Sequence, residues 1–192
     1  GNIMKLKGKT ALVTGGGSGI GTAIAGGLIR EGAKVCITGR NRDKLEKVAA
    51  GFPKDQIAIC AGSVTSLDDI QKMMDATIKL GGKIDVLVNN AGGSPNADAA
   101  SASPRFSEAI IRLNLLAPLN LCQQANKVMQ TQADGGVIIN ICSVSATRPS
   151  PGTAAYGAAK AGLLNLTGSL AVEWAPKVRV NAVTAGLILT EQ

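Results

Sequence analysis

A short β-rich run, Thr10 to Thr14, meets Gly15-Gly-Gly-Ser-Gly-Ile-Gly21 with no spacer, and an Ala-rich amphipathic stretch to Glu31 follows. That order is strand, glycine turn, helix. Residues without a Cβ let the backbone approach a bulky anion, and the first helical N–H groups and the helix dipole point at its charge. The rest of the chain repeats the alternation. Strands are predicted over Lys34–Thr38, Gln56–Ala61, Ile84–Asn89, Val137–Cys142 and Val178–Val183, with helices over Asp43–Ala50, Leu67–Leu80 behind the N-cap Ser66, Pro104–Gln132 and Thr153–Ala175. Strands and helices alternating through short connections imply an α/β fold, a doubly wound parallel sheet of six strands.

The glycine spacing narrows what the turn can hold. A G-x-G-x-x-G pattern starting at Gly17 needs glycine or alanine at position 22, where the chain has Thr22; the variant that fits is Thr14-Gly15-x-x-x-Gly19-x-Gly21. At the end of the second strand stand Gly39 and Arg40. An acid near this point serves the ribose 2′-hydroxyl of NAD, whereas arginine accommodates the 2′-phosphate of NADP, so Arg40 favours NADP(H) unless it merely opens a solvated helix. Asn89-Asn90-Ala91-Gly92 closes the fourth strand with side-chain amides and small residues, suited to bracing the sheet and lining a cofactor cleft.

Two later stretches carry candidate chemistry. Asn114 sits among apolar residues four before Pro118, which has no N–H for the carbonyl of Asn114; the local break could hold a water or be a simple kink in a core helix. Tyr156 and Lys160, four apart on a helix, leave one face about 6 Å from each other. A tyrosine titrates near 10, and bringing it toward neutrality takes about 4 kcal/mol of phenolate stabilisation. An ammonium about 4 Å away at an effective dielectric near 20 supplies that much. Ser143 ends the fifth predicted strand, where a hydroxyl can face a cleft and hold an oxygen.

Composition removes several alternatives. The 192 residues, 45% hydrophobic and 17% charged, suit one globular domain, assigned to residues 4–192. With no histidine in the chain, Ser-His-Asp and Cys-His catalysis are excluded and no metal site is expected. The four cysteines lack Cys-x-x-Cys spacing and read as buried free thiols. A net charge of +7 invites a nucleic-acid reading, but Phe52, Phe106, Tyr156 and Trp174 are scattered singly and offer no stacking platform. No apolar stretch approaches the roughly 18 residues of a membrane span and no signal-peptide core is present, so no membrane partner and a cytoplasmic location are expected.

Taken in order, the glycine turn, Asn89-Asn-Ala-Gly92, the isolated Asn114, Ser143 and Tyr156-x-x-x-Lys160 resemble the short-chain dehydrogenase/reductase family over nearly the whole chain. The glycine spacing is similar to its compact-form branch, which includes 3-oxoacyl-acyl-carrier-protein reductases and carbonyl reductases. The resemblance implies a Rossmann fold and hydride transfer between NADP(H) and a carbonyl or alcohol, such as a ketone or a 3-oxoacyl thioester. By the same resemblance, Tyr156 is the general acid/base and Lys160 tunes it and holds the nicotinamide ribose. Ser143 positions the substrate oxygen, and Asn114 anchors a water for proton relay. Cofactor contacts are implied for Thr14, Gly15, Ser18, Gly19, Ile20, Gly21, Asn90, Ala91 and Gly92, beside Arg40. A homodimer or homotetramer through the two long helices is implied as well.

The chain also departs from the family pattern. Ser63 stands where an Asp often binds the adenine amine, and Ala185-Gly186 replaces the usual Pro-Gly after the sixth strand. Family members continue with a substrate-covering lid and a seventh strand, absent from this chain, and the adopted reading is that the native polypeptide runs on. A polypeptide that ended at Gln192 is expected to fold marginally and reduce carbonyls poorly. The rival reading is a non-catalytic NADP(H)-binding regulatory or scaffold protein, against which the intact Ser143, Tyr156 and Lys160 speak.

Overall fold

The computed structural model describes residues 4–17 and 19–185, so Ser18 and positions 186–192, which include Gly186, lie outside the described residues. Six parallel strands form one sheet: β1 (Thr10–Val13), β2 (Lys34–Gly39), β3 (Ile57–Ala61), β4 (Val86–Asn89), β5 (Gly136–Ser143) and β6 (Val178–Ala185). Their order is β3-β2-β1-β4-β5-β6, so the winding reverses between β1 and β4. At such a switch point the loops after two neighbouring strands diverge and leave a crevice.

The connecting helices are α1 (Gly19–Arg30), α2 (Arg42–Ala49), α3 (Leu67–Gly81), α4 (Pro104–Ile111), α5 (Ala117–Met129) and α6 (Ala154–Trp174). Local chemistry places their ends. Asn41 caps α2 by accepting from the Lys44 N–H at 3.1 Å, and Ser66 caps α3 by accepting from Asp69 N–H at 3.2 Å. Gly82 ends α3 in the left-handed region at φ 79°. Ser103 caps α4, with Pro104 at the first helical position where its missing N–H costs nothing.

Alternation along the strands sorts the core into two layers. Ala11, Val13, Val35, Ile37 and Val88 pack with Ala25 and Ile29 of α1 and Leu45 of α2. Leu12, Cys36, Leu87 and Ile138 face the other way, onto Ile70 and Met73 of α3 and Leu121 and Ala125 of α5. Each fully buried Leu or Ile contributes about 1.5–3 kcal/mol.

The helix predicted over Pro104–Gln132 is instead three segments: α4, a five-residue π-helical turn at Arg112–Leu116, and α5. In this widened turn the Ala117 N–H reaches back to the Arg112 carbonyl. Pro118 cannot donate the α-type bond to Asn114, and a wide turn ahead of it is the local response. The single helix expected over this stretch is thus broken at a π turn, with the fully buried Asn114 inside it.

Candidate active site

The loop after β1 and the loop after β4 are built against each other. Thr14 Oγ1 accepts from the N–H groups of Asn90 and Ala91, both at 3.0 Å, and donates to Val88 O at 3.4 Å. Its hydroxyl is fully committed and the residue is 1% exposed, so Thr14 holds the second loop in place behind the cleft. Asn90 Nδ2 returns the link by donating to Gly15 O at 3.2 Å. Gly15, at φ +64°, lies so close that a Cβ would stand 2.9 Å from Asn90 Nδ2 and 3.1 Å from the backbone of Ala91. A Cβ on Gly21 would strike the Gly15 carbonyl, whereas one on Gly19 would meet nothing within 4 Å. Thr22, the misfit to the generic pattern, donates its hydroxyl to Gly16 O at 3.0 Å and ties the turn to the helix.

These loops floor a cleft of about 880 Å³. Gly15, Ile20, Arg40, Asn90, Ala91 and Gly92 line it, together with Thr38 and Gly39 of β2, the stretch Gly62–Thr65 after β3, and Arg105, Glu108 and Arg112 across the mouth. The residues after β3 were recoverable from the rule that ligands meet the carboxyl ends of strands. The approach of α4 carried no sequence signal. Arg40 is exposed, precedes the cap of α2, and forms no ion pair within 4 Å among the described residues, while its neighbour Arg42 pairs with Glu46 at 3.1 Å. Ser63 and Thr65 share a hydroxyl–hydroxyl hydrogen bond at 2.7 Å, and the Ser63 N–H donates to the Asp69 carboxylate at 2.8 Å.

The cleft reaches Gly92, where the catalytic candidates begin. A Cβ there would lie 2.6 Å from Asn114 Oδ1 and 3.3 Å from Lys160 Nζ, so only glycine lets the two side chains meet its backbone. Asn114 accepts from Gly93 N–H at 2.8 Å and donates to Gly93 O at 2.9 Å and Ile110 O at 3.0 Å, clamping the loop after β4. Lys160, 4% exposed, donates to Ile141 O at 3.0 Å and stands 5.8 Å from the centre of the Tyr156 ring. Burial holds its ammonium below the ordinary lysine pKa of 10.5. Tyr156 is half-buried. Ser143 closes β5 with its Oγ accepting from Ser145 N–H at 3.2 Å, which leaves the O–H free to donate.

Among the described residues no three His, Cys, Asp or Glu side chains gather as metal ligands, and no helix is long and apolar enough to cross a membrane. All four cysteines are unpaired; Cys36, Cys122 and Cys142 are buried, while Cys60 is only partly so.

A cleft at the switch point, floored by glycines, one of which, Gly92, has the buried Lys160 behind it, defines a dinucleotide-binding α/β protein. The sequence profile of the short chain dehydrogenase family matches residues 9–192, and the chain belongs to that family. It is 37% identical over 191 residues to the 3-oxoacyl-[acyl-carrier-protein] reductase FabG of Thermotoga maritima, covering 97% of this chain and 77% of that one. It is 36% identical to the D-threitol dehydrogenase of Mycolicibacterium smegmatis, covering 97% and 73%. A crystal structure of a short chain dehydrogenase from Bacillus anthracis superposes with a TM-score of 0.89 at 38% identity, covering 96% of this chain and 75% of that one. The chain is thus an NAD(P)-dependent oxidoreductase acting on CH–OH or C=O groups.

Proposed function

We propose that this protein reduces a ketone or a 3-oxoacyl thioester with NADPH, or oxidises the corresponding alcohol. The observation that carries the reading is the convergence of Asn114 and Lys160 on Gly92, at the inner end of a cleft whose outer rim bears the unpaired Arg40. The residues fit the cofactor. Gly15 and Gly92 are cradles that a Cβ would fill, Gly19 faces open space, and Arg40 offers the 2′-phosphate a charge-assisted partner. When bound, NADPH supplies the hydride.

The chain's own residues do the rest. Ser143 donates its free O–H to the substrate oxygen, and Tyr156 delivers the proton to that oxygen as charge develops there. Lys160, fixed by Ile141, keeps its Nζ beside the tyrosine ring and would hold the nicotinamide ribose. Asn114 holds the loop carrying Gly92 and Gly93, and with it the floor on which the nicotinamide end would rest.

Titration of NADPH and NADH against the wild type and Arg40→Ala tests the cofactor reading. A preference for NADPH of about 1–3 kcal/mol, lost in Arg40→Ala, is expected; equal affinity in the wild type sinks it. Absorbance at 340 nm with a panel of ketones and 3-oxoacyl thioesters tests the substrate. We also propose self-association through the outer face of α6, where Leu164 and Val172 are 38% and 82% exposed among small residues. Sedimentation should show at least a dimer at tens of micromolar, and a monomer there would count against it.

A further inference from the structure

We propose that Thr167, acting through Asn140, is a positioning residue that sets where α6 holds Lys160 and Tyr156; this rests on the catalytic reading above. The motifs of the site do not include either residue. Asn140, on β5, is fully buried, and Thr167, on α6, is 5% exposed. Asn140 Nδ2 donates to Thr167 Oγ1 at 3.0 Å, and the threonine hydroxyl passes its own hydrogen to Leu163 O, one turn back, at 2.7 Å. Thr167 follows Lys160 by two helical turns, about 10 Å along the axis, and lies on the same buried face as Gly157, Lys160 and Leu163.

Why this one bond matters follows from what else holds the helix. The buried face of α6 presents Gly157, Ala159, Leu163 and Leu170, and apolar contact is non-directional, so it resists separation more than sliding. Directional ties between α6 and β5 are two. Lys160 Nζ donates to Ile141 O, and Asn140 Nδ2 donates to Thr167 Oγ1. Their partners on β5 are consecutive residues, so together they fix both the height and the rotation of the helix against the strand.

The network continues to the cofactor side. Asn140 Oδ1 accepts from Asn89 Nδ2 at 2.9 Å, and Asn89 also donates to Cys122 Sγ at 3.3 Å. Asn89 is the last residue of β4 and precedes Asn90, whose amide is tied to Gly15. Side-chain bonds therefore run from Asn89, at the end of β4 beside the loop under the cofactor cleft, to the helix bearing Tyr156 and Lys160. Asn89 Oδ1 has no hydrogen-bond partner in this network, although buried. A partly satisfied polar cluster in a core is a poor source of stability, which favours a role in placement.

The readout must be one that mere destabilisation leaves alone. The titratable groups facing Lys160 are Tyr156 from its own helix and Cys142 from β5; Asn114 from the π turn is polar and neutral. The ¹³Cε resonance of Lys160, assigned with Lys160→Met, is titrated in wild type, Thr167→Val, Thr167→Ala and Thr167→Ser. Loss of the hydroxyl in the Val and Ala variants should move the midpoint by about half a pH unit or more, a threefold change in protonation. The pH profile of kcat/KM should move with it, and kcat should fall more than NADPH affinity. Thr167→Ser should match the wild type in both. A lowered Tm with an unmoved midpoint and pH profile overturns the proposal. So does a shift in Thr167→Ser, even where the other variants do not fold. If the wild type reduces no carbonyl, the catalytic reading fails on its own, and the Lys160 titration still decides whether Thr167 places that side chain.

Discussion

On the face of the sheet covered by α1 and α2, β1, β2 and β4 contribute Ala11, Val13, Val35, Ile37 and Val88 to an apolar layer. On the opposite face, residues of the other parity include Thr38, Asn89 and Asn140 beside Leu12 and Leu87, and the covering helices and π turn add Thr77, Asn114, Lys160 and Thr167. One layer is held mainly by burial, with Gln56 Nε2 donating to Ile29 O and Ala33 O at its margin. The other mixes burial with directional bonds and carries a lysine whose charge is disfavoured there. The contrast teaches where the sheet spends its specificity: the apolar layer keeps the strands together, and the polar layer decides where particular atoms stand.

If that division is right, the largest effect should come from a single hydroxyl on the polar side. In the active enzyme, Tyr156→Phe should lower kcat/KM by about 10²–10⁴, the usual worth of a general acid, with NADPH affinity nearly unchanged. Retention of more than about a tenth of wild-type kcat/KM, a loss under about 1.4 kcal/mol, would show that Tyr156 is not the essential acid. Ile29→Ala, in the apolar layer, should cost about 2–5 kcal/mol in denaturant melts. Its kcat per folded molecule should stay within about twofold of wild type, because nothing directional is lost; a large fall in kcat would erase the contrast between the layers.

The smallest effect should have the opposite sign. Burial lowers the folded-state pKa of Lys160, so between that value and 10.5 the unfolded chain binds more protons and stability rises with pH. The penalty is complete below the depressed pKa and fades as pH approaches 10.5. Lys160→Met should therefore stabilise the ligand-free protein at pH 7 by about 0.5–2 kcal/mol while abolishing turnover. Melts at pH 7 and near pH 10 check this, and a gain that grows with pH would contradict it.

Much of this was legible in the sequence, and the parts that were not share a cause. Strand and helix periods, the cap Ser66 and the glycine turn are local signals, written within a few residues of where they act. Asn114 and Pro118 announced a disturbance, but the π turn and the clamp on Gly93 depend on a loop 21 residues away. Thr22 read as a misfit until its hydroxyl was seen on Gly16 O. Arg105 and Arg112 reach the cleft only because α4 swings across it, and Asn140 reads as a polar interruption in an apolar strand unless Thr167 is beside it. Short-range chemistry shows in a sequence, whereas partners brought together by the winding of the sheet do not.

The reversal of winding between β1 and β4 also governs when the site can exist. Thr14 and Gly15 leave a growing chain early, yet their partners Asn90 and Ala91 come 75 to 77 residues later. At a synthesis rate of about 5–20 residues per second, the glycine turn waits several seconds for the segment that fixes it. Until then Thr14 has no amides to accept from, and the cleft has only one wall. A nascent chain shorter than about residue 92 thus carries Gly15, Arg40 and the stretch Gly62–Thr65 but lacks the opposite side of the cleft, Asn90 to Gly92. The two sides of the cleft are separated in time during synthesis as well as in sequence.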